Sequence, residues 1–109
     1  MIFTVEISEQ ADSDLRAIYE YIAFELLSPE NAGGQLDRLE KGIISLEEMP
    51  ERYQRYEKEP WYSRGLRIFP IDNYVVCYIT DTEKRIVTVI RVMYGGRDIE
   101  HQLNVHTKQ

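Results

Sequence analysis

Residues 65–94 read GLRIFPIDNYVVCYITDTEKRIVTVIRVMY, three apolar runs separated by turn formers. In 65–70, Leu66 and Ile68 alternate with Arg67 and Phe69, the two-residue period of a strand with unlike faces. Residues 74–80 are almost continuously apolar, as a central strand requires, and 85–94 are long and rich in β-branched side chains. The links Pro70–Asn73 and Asp81–Lys84 supply turn residues, so the three strands read as an antiparallel meander.

Upstream, the pattern changes. Residues 2–7 alternate, with Phe3, Val5 and Ile7 on one face, and predict one more strand. Ser8 can cap a helix whose stripe is Ala11, Leu15, Ile18, Ile22 and Leu26, with Tyr19 and Ala23 widening it. Ser28-Pro29 restarts a helix with the stripe Ala32, Leu36, Leu39, Ile43 and Leu46, which Pro50 ends. Gly33 and Gly34 inside it imply either close approach of the first helix or a frayed start. Residues 51–64 have no period and read as a long surface loop. The expected fold is α+β. A four-stranded antiparallel sheet is packed by an N-terminal helical hairpin, in the order β-α-α-β-β-β, with a short helix over Arg97–Leu103. Residues 1–103 form the single domain and 104–109 a flexible tail.

A chain of 109 residues has room for one core. Its 19 acidic and 13 basic residues give a net charge of −6, which disfavours a general nucleic-acid binder. The charge is uneven: residues 1–59 carry −8 and residues 60–109 carry +2. The sheet segment alone can therefore present a positive site. The lone Cys77 excludes an intrachain disulfide and a cysteine-based zinc site, and its apolar run predicts a buried, inert thiol. No run reaches the length of a membrane span, and the N-terminus lacks the basic start of a signal peptide. The expected location is cytoplasmic, with no membrane partner.

No phosphate loop, nucleophile elbow or metal-spaced histidine pair occurs, so neither a metal nor a cofactor is expected. His101 and His106, five apart, fit one metal poorly. The arginines of the strand half are the candidates: Arg64, Arg67, Arg91 and Arg97. Arg91 interrupts an apolar strand in a period-2 set with Val87, Val89 and Met93. It is either a solvated or acid-paired guanidinium or part of a concave anion site, where the planar fork binds phosphate or carboxylate. Arg97 follows Tyr94-Gly95-Gly96, a tight turn able to hold it at the sheet edge, with Asp98 to orient it. Glu100 and His101 are the nearby acid–base groups should a cleavage occur. Trp61, Tyr62, Tyr53 and Tyr56 either stack on unpaired bases or pin the loop to the core.

Taken in order, PENA at 29–32, Pro50-Glu51-Arg52, Pro60-Trp61, Gly65-Leu66-Arg67, NYVVCY at 73–78 and RVMYGGRDI at 91–99 resemble the RelE/ParE superfamily. These are toxins of bacterial type II toxin–antitoxin modules, the plasmid-stabilisation type. The resemblance covers residues 5–103 and implies a small α+β toxin held inactive by the C-terminal segment of a cognate, co-encoded antitoxin, with oligomers forming only with that antitoxin. Members either cut mRNA on the ribosome or inhibit DNA gyrase. Arg97 matches an arginine used by the ribonucleases. Where those enzymes carry a second arginine this chain has Val75, and six residues beyond Arg97, where they place a tyrosine, it has Leu103. The ribonuclease set is incomplete, and the YGGRD ending is nearer the ParE type.

Three readings follow. The first is a ParE-like gyrase inhibitor, whose binding residues would be Arg64, Arg67, Arg91, Tyr94, Arg97 and Trp61. The second is a ribosome-dependent endoribonuclease, whose catalytic residues would be Arg97, Arg91, Arg67 and His101. The third is a degenerate toxin that retains only antitoxin binding.

Overall fold

A computed structural model describes residues 2–96 and 98–107. The chain forms β1 (Thr4–Ile7), α1 (Glu9–Glu20), α2 (Pro29–Ile44), β2 (Gln54–Arg55), β3 (Leu66–Ile71), β4 (Tyr74–Asp81), β5 (Ile86–Tyr94) and α3 (Ile99–His106). Strand order across the sheet is β1-β5-β4-β3-β2.

The meander stands where the sequence placed it. The sheet as a whole differs: it is five-stranded and mixed, not four-stranded and antiparallel. β2 pairs antiparallel with β3 through Gln54 and Arg55, and β1 runs parallel to β5 with Val5 opposite Val87. The two differences are one. A two-residue strand carries no readable period, yet it adds one reversal of chain direction. One reversal more than the sequence pattern counts turns the last strand from antiparallel to parallel with the first.

α1 starts as read: the Ser8 hydroxyl accepts from the Ala11 amide at 3.1 Å, and Glu9 and Asp12 sit in the first turn where acids suit the dipole. Its apolar stripe holds through Ile22 and then fails. Residues Tyr21–Glu25 form a π turn, with the Leu26 amide donating to the Tyr21 carbonyl at 3.1 Å. The wider turn rotates later side chains off the buried face. Ala23 is buried against Ala32, and Leu26 is left in solvent. Pro29 opens α2 as expected, but the Ser28 hydroxyl makes no capping bond.

The glycines are used differently from the expectation. A Cβ at Gly33 would meet open space, and one at Gly34 only the Arg38 guanidinium, so neither answers to close approach by α1. The glycine that permits contact is Gly42, where a Cβ would run into Cδ1 of Ile71 on β3.

Both faces of the sheet are covered. On one, Ala11 and Leu15 of α1 and Leu39 and Ile43 of α2 pack on Val76, Tyr78, Val87, Val89 and Val92. Each fully buried Val, Leu or Ile among them stabilises the fold by about 1.5–3 kcal/mol. On the other, Trp61 and Leu103 cover Leu66, Val75, Cys77 and Met93. α3 runs through His106, three residues beyond the expected domain end at Leu103. No helix among the described residues is long and apolar enough to cross a membrane.

Candidate functional site

Two chain reversals, the β3–β4 turn and the turn after Tyr94, meet at the C-terminal end of β5. The β3–β4 turn places Asp72 at φ 53, and α2 holds it: Arg38 Nε donates to its carboxylate at 2.7 Å and Gln35 Nε2 at 3.0 Å. These bonds, that of Arg38 first and then that of Gln35, hold the Asp72 carboxyl below its ordinary value. The Gly95 amide donates to the Asn73 carbonyl at 2.8 Å, which ties the end of β5 to the same turn.

Tyr74 and Tyr94 are cross-strand partners whose rings meet edge-on, with centroids 5.9 Å apart. Burial raises the Tyr74 phenol, and the neighbouring Tyr94 and Tyr21 hydroxyls raise it further. Tyr21 comes from the π turn of the helical hairpin, so that turn lies within electrostatic reach of Tyr74. The glycine at 96 has a steric reason. A Cβ there would enter the Tyr94 ring. Tyr94 itself is 49% exposed. Arg97, the arginine on which the sequence placed most weight, lies outside the described residues.

The remaining candidates are held separately. Arg91 is only 7% exposed and pairs with Asp14 of α1, Nε to Oδ2 at 2.7 Å and Nη2 to Oδ1 at 3.0 Å. Of the two sequence readings, the acid-paired one describes it. Its period-2 set also divides. Tyr78 faces Val89 while Cys77 faces Arg91, so Ile90 is an extra residue in β5. That bulge sends Val87 and Val89 into one core and Met93 into the other. Arg91 further reaches Thr107 Oγ1 at 3.2 Å, beyond the end of α3.

Arg67 donates to the Tyr53 carbonyl at 2.8 Å and approaches Glu51 at 3.5 Å. Arg64 lies over the Trp61 ring, 5.0 Å from its centroid. Trp61 is buried and its Nε1 donates to Asn104 at 2.9 Å, which pins the loop rather than offering a stacking face. His101 sits in the first turn of α3, and its amide donates to the Asp98 carboxylate at 3.1 Å. Arg64, Arg67 and Arg91 thus each serve different partners.

Asp14 is the residue that sequence reasoning missed. Besides holding Arg91, its carboxylate accepts from the Val92 amide at 2.9 Å. The Ser8 hydroxyl donates to the Ile90 carbonyl at 3.2 Å. Where β1 stops, side chains of α1 and its cap complete the edge of β5. In sequence Asp14 is an ordinary polar-face helix residue, and no local signal marks it.

Hollows among the described residues include two beside the helices. One of about 440 Å³ lies between α1 and α2 and is lined by Leu15, Tyr19, Leu36, Asp12, Arg16, Glu20 and Glu40. The other, about 310 Å³, is lined by Asp98, Glu100, His101 and Asn104. Among the described residues, no three His, Cys, Asp or Glu side chains are grouped to hold a metal.

Residues 5–99 match the ParE toxin of the type II toxin–antitoxin system parDE. The chain belongs to the ParE toxin family. No curated protein sequence matches it significantly. Among solved structures, this ParE-family chain is similar to a chain of the chromosomal ParDE system from P. aeruginosa. The TM-score is 0.71 at 17% identity, covering 85% of this chain and 96% of that one. It is also similar to a chain of the RelBE2 toxin–antitoxin complex from Mycobacterium tuberculosis, with TM-score 0.65, 20% identity and coverage of 86% and 92%. A chain of the archaeal RelE–RelB complex from Pyrococcus horikoshii OT3 gives TM-score 0.62, 17% identity and coverage of 90% and 100%. At these identities the likeness is one of fold. It does not choose between the targets of ParE- and RelE-type toxins.

Proposed function

We propose that this ParE-family toxin arrests growth by binding DNA gyrase, and that a co-encoded antitoxin neutralises it. The observation that carries this reading is the burial of Val75 and Leu103. These positions correspond, by the family resemblance, to the second arginine and the tyrosine of the ribonucleases. Here both belong to the apolar core under α3. An apolar side chain sealed in a core donates no proton and holds no phosphate. A mechanism of binding needs neither, and it needs no cofactor.

In this reading Tyr94, at the exposed end of β5, touches the target, as does Arg97, three residues on in sequence. Arg91 and Trp61 hold the frame that presents them, and Arg64 and Arg67 lie beside that frame. The net charge of −6 suits a protein target better than free nucleic acid. The toxin–antitoxin complexes formed by its structural neighbours support the antitoxin as partner.

The test is induction in cells with DNA and protein synthesis followed separately, together with purified gyrase. DNA damage with intact mRNA, and inhibited supercoiling, are the expected results. Early translational arrest with cleaved mRNA overturns the reading. Arg97→Ala is expected to abolish growth arrest with an unchanged circular dichroism spectrum, whereas an unfolded variant makes Arg97 structural.

A further inference from the structure

The tip of the helical hairpin is apolar and in solvent. Phe24 is 67% exposed and Leu27 83%, and Tyr21 and Leu26 are more than half exposed beside them. A soluble helix hairpin ordinarily ends in polar residues, and exposed apolar groups gathered in one place mark interaction surfaces. Two backbone features shape the arrangement. The π turn over Tyr21–Glu25 rotates Phe24 and Leu26 outward. Leu27 then occupies the left-handed region at φ 52, where glycine or asparagine is the easy choice.

The tip is not isolated. Tyr21 is near enough to raise the Tyr74 phenol, and Tyr74 meets Tyr94 edge-on. Arg38 of α2 binds Asp72 in the turn before Tyr74, so the hairpin and the exposed Tyr94 lie toward the same end of the sheet.

The charge around the tip is of one sign. Residues 17–37 contain Glu20, Glu25, Glu30 and Asp37 and no lysine or arginine. Glu20, Glu25 and Glu30 are exposed at the tip. A phosphate backbone is repelled by such a rim, and a protein face ringed by lysine and arginine is attracted to it.

We propose that this hairpin tip, centred on Phe24 and Leu27, docks on the growth-arrest target, a folded protein that offers an apolar hollow with a basic rim. The proposal deepens the gyrase reading by naming the face that binds. The hairpin tip inserts as a projection, and Glu20, Glu25 and Glu30 set orientation against the rim.

Two variants test it, both at exposed positions: Phe24→Ser/Leu27→Ser and Glu20→Lys/Glu25→Lys/Glu30→Lys. Circular dichroism and thermal melts establish that each is folded. Binding to immobilised DNA gyrase is measured beside the wild type. Each variant is expected to lose affinity about tenfold or more, the scale of central interface residues. Unchanged affinity in both overturns the proposal, as does tighter binding on charge reversal. Failure of the wild-type chain to bind gyrase overturns the gyrase reading alone. Growth arrest then judges the surface: loss of arrest in both folded variants upholds it, and full arrest overturns it. Arrest retained together with escape from the co-expressed antitoxin assigns the surface to the antitoxin and overturns the proposal.

Discussion

Asp14 and Arg91 show how far a residue's role depends on its partner. In sequence Asp14 is an ordinary polar-face residue, and Arg91 interrupts an apolar strand with no partner named. Together they form a bidentate pair that is nearly sealed from water, with side chains 15% and 9% exposed. Taking one partner away leaves the other charge buried and also frees the Val92 amide. Asp14→Asn is therefore expected to destabilise the fold by about 3–5 kcal/mol, read from urea unfolding. An effect under about 1 kcal/mol would reduce the pair to a surface contact. Cys77 makes the opposite case, since its apolar neighbours in sequence already fixed its fate. Burial pushes its thiol up to about 12. It is expected to resist alkylation near pH 8 in the folded protein and to react once denaturant unfolds the chain.

At the scale of elements, α2 carries two glycines in open positions and one under β3. Gly33→Ala removes backbone entropy at no steric cost and is expected to stabilise by about 1 kcal/mol. Gly42→Ala pushes a methyl into Ile71 and is expected to destabilise by about 1–3 kcal/mol, both read from thermal melts. The same helix holds the β3–β4 turn through Arg38, Gln35 and Asp72. Because the folded Asp72 carboxyl is lowered from 3.8, its contribution is fully present above that value. It is lost as pH falls through the lowered folded value. Asp72→Asn is expected to flatten the acid limb of the melting temperature below about pH 4, an exposed-pair effect that added salt weakens.

Sequence reading at this scale succeeded where the period was long. The meander and both helix stripes up to Ile22 were legible because burial repeats along them every two or nearly four residues. It failed at β2, too short to show a period, and past Tyr21, where the π turn changes the period itself. The bulge at Ile90 did the same to β5, so Arg91 was assigned the wrong companions.

At the scale of the whole molecule, the charge asymmetry acquires a geometry. The acidic half holds the helical hairpin, whose α2 is tied through Arg38 and Asp72 to the turn that precedes Tyr74. That neighbourhood joins Tyr21, Tyr74 and Tyr94, which are 20 to 73 positions apart in the chain. The sequence by itself determined the helices, the four longer strands, the order of the meander, the buried thiol and the family, because each is written in local periodicity or in ordered short motifs. Only the tertiary structure decided the direction of β1 against β5, the partner of Arg91 and the pairing of Tyr74 with Tyr94. Those depend on contacts between distant segments, and a linear pattern encodes the face a residue prefers without encoding what will stand opposite it.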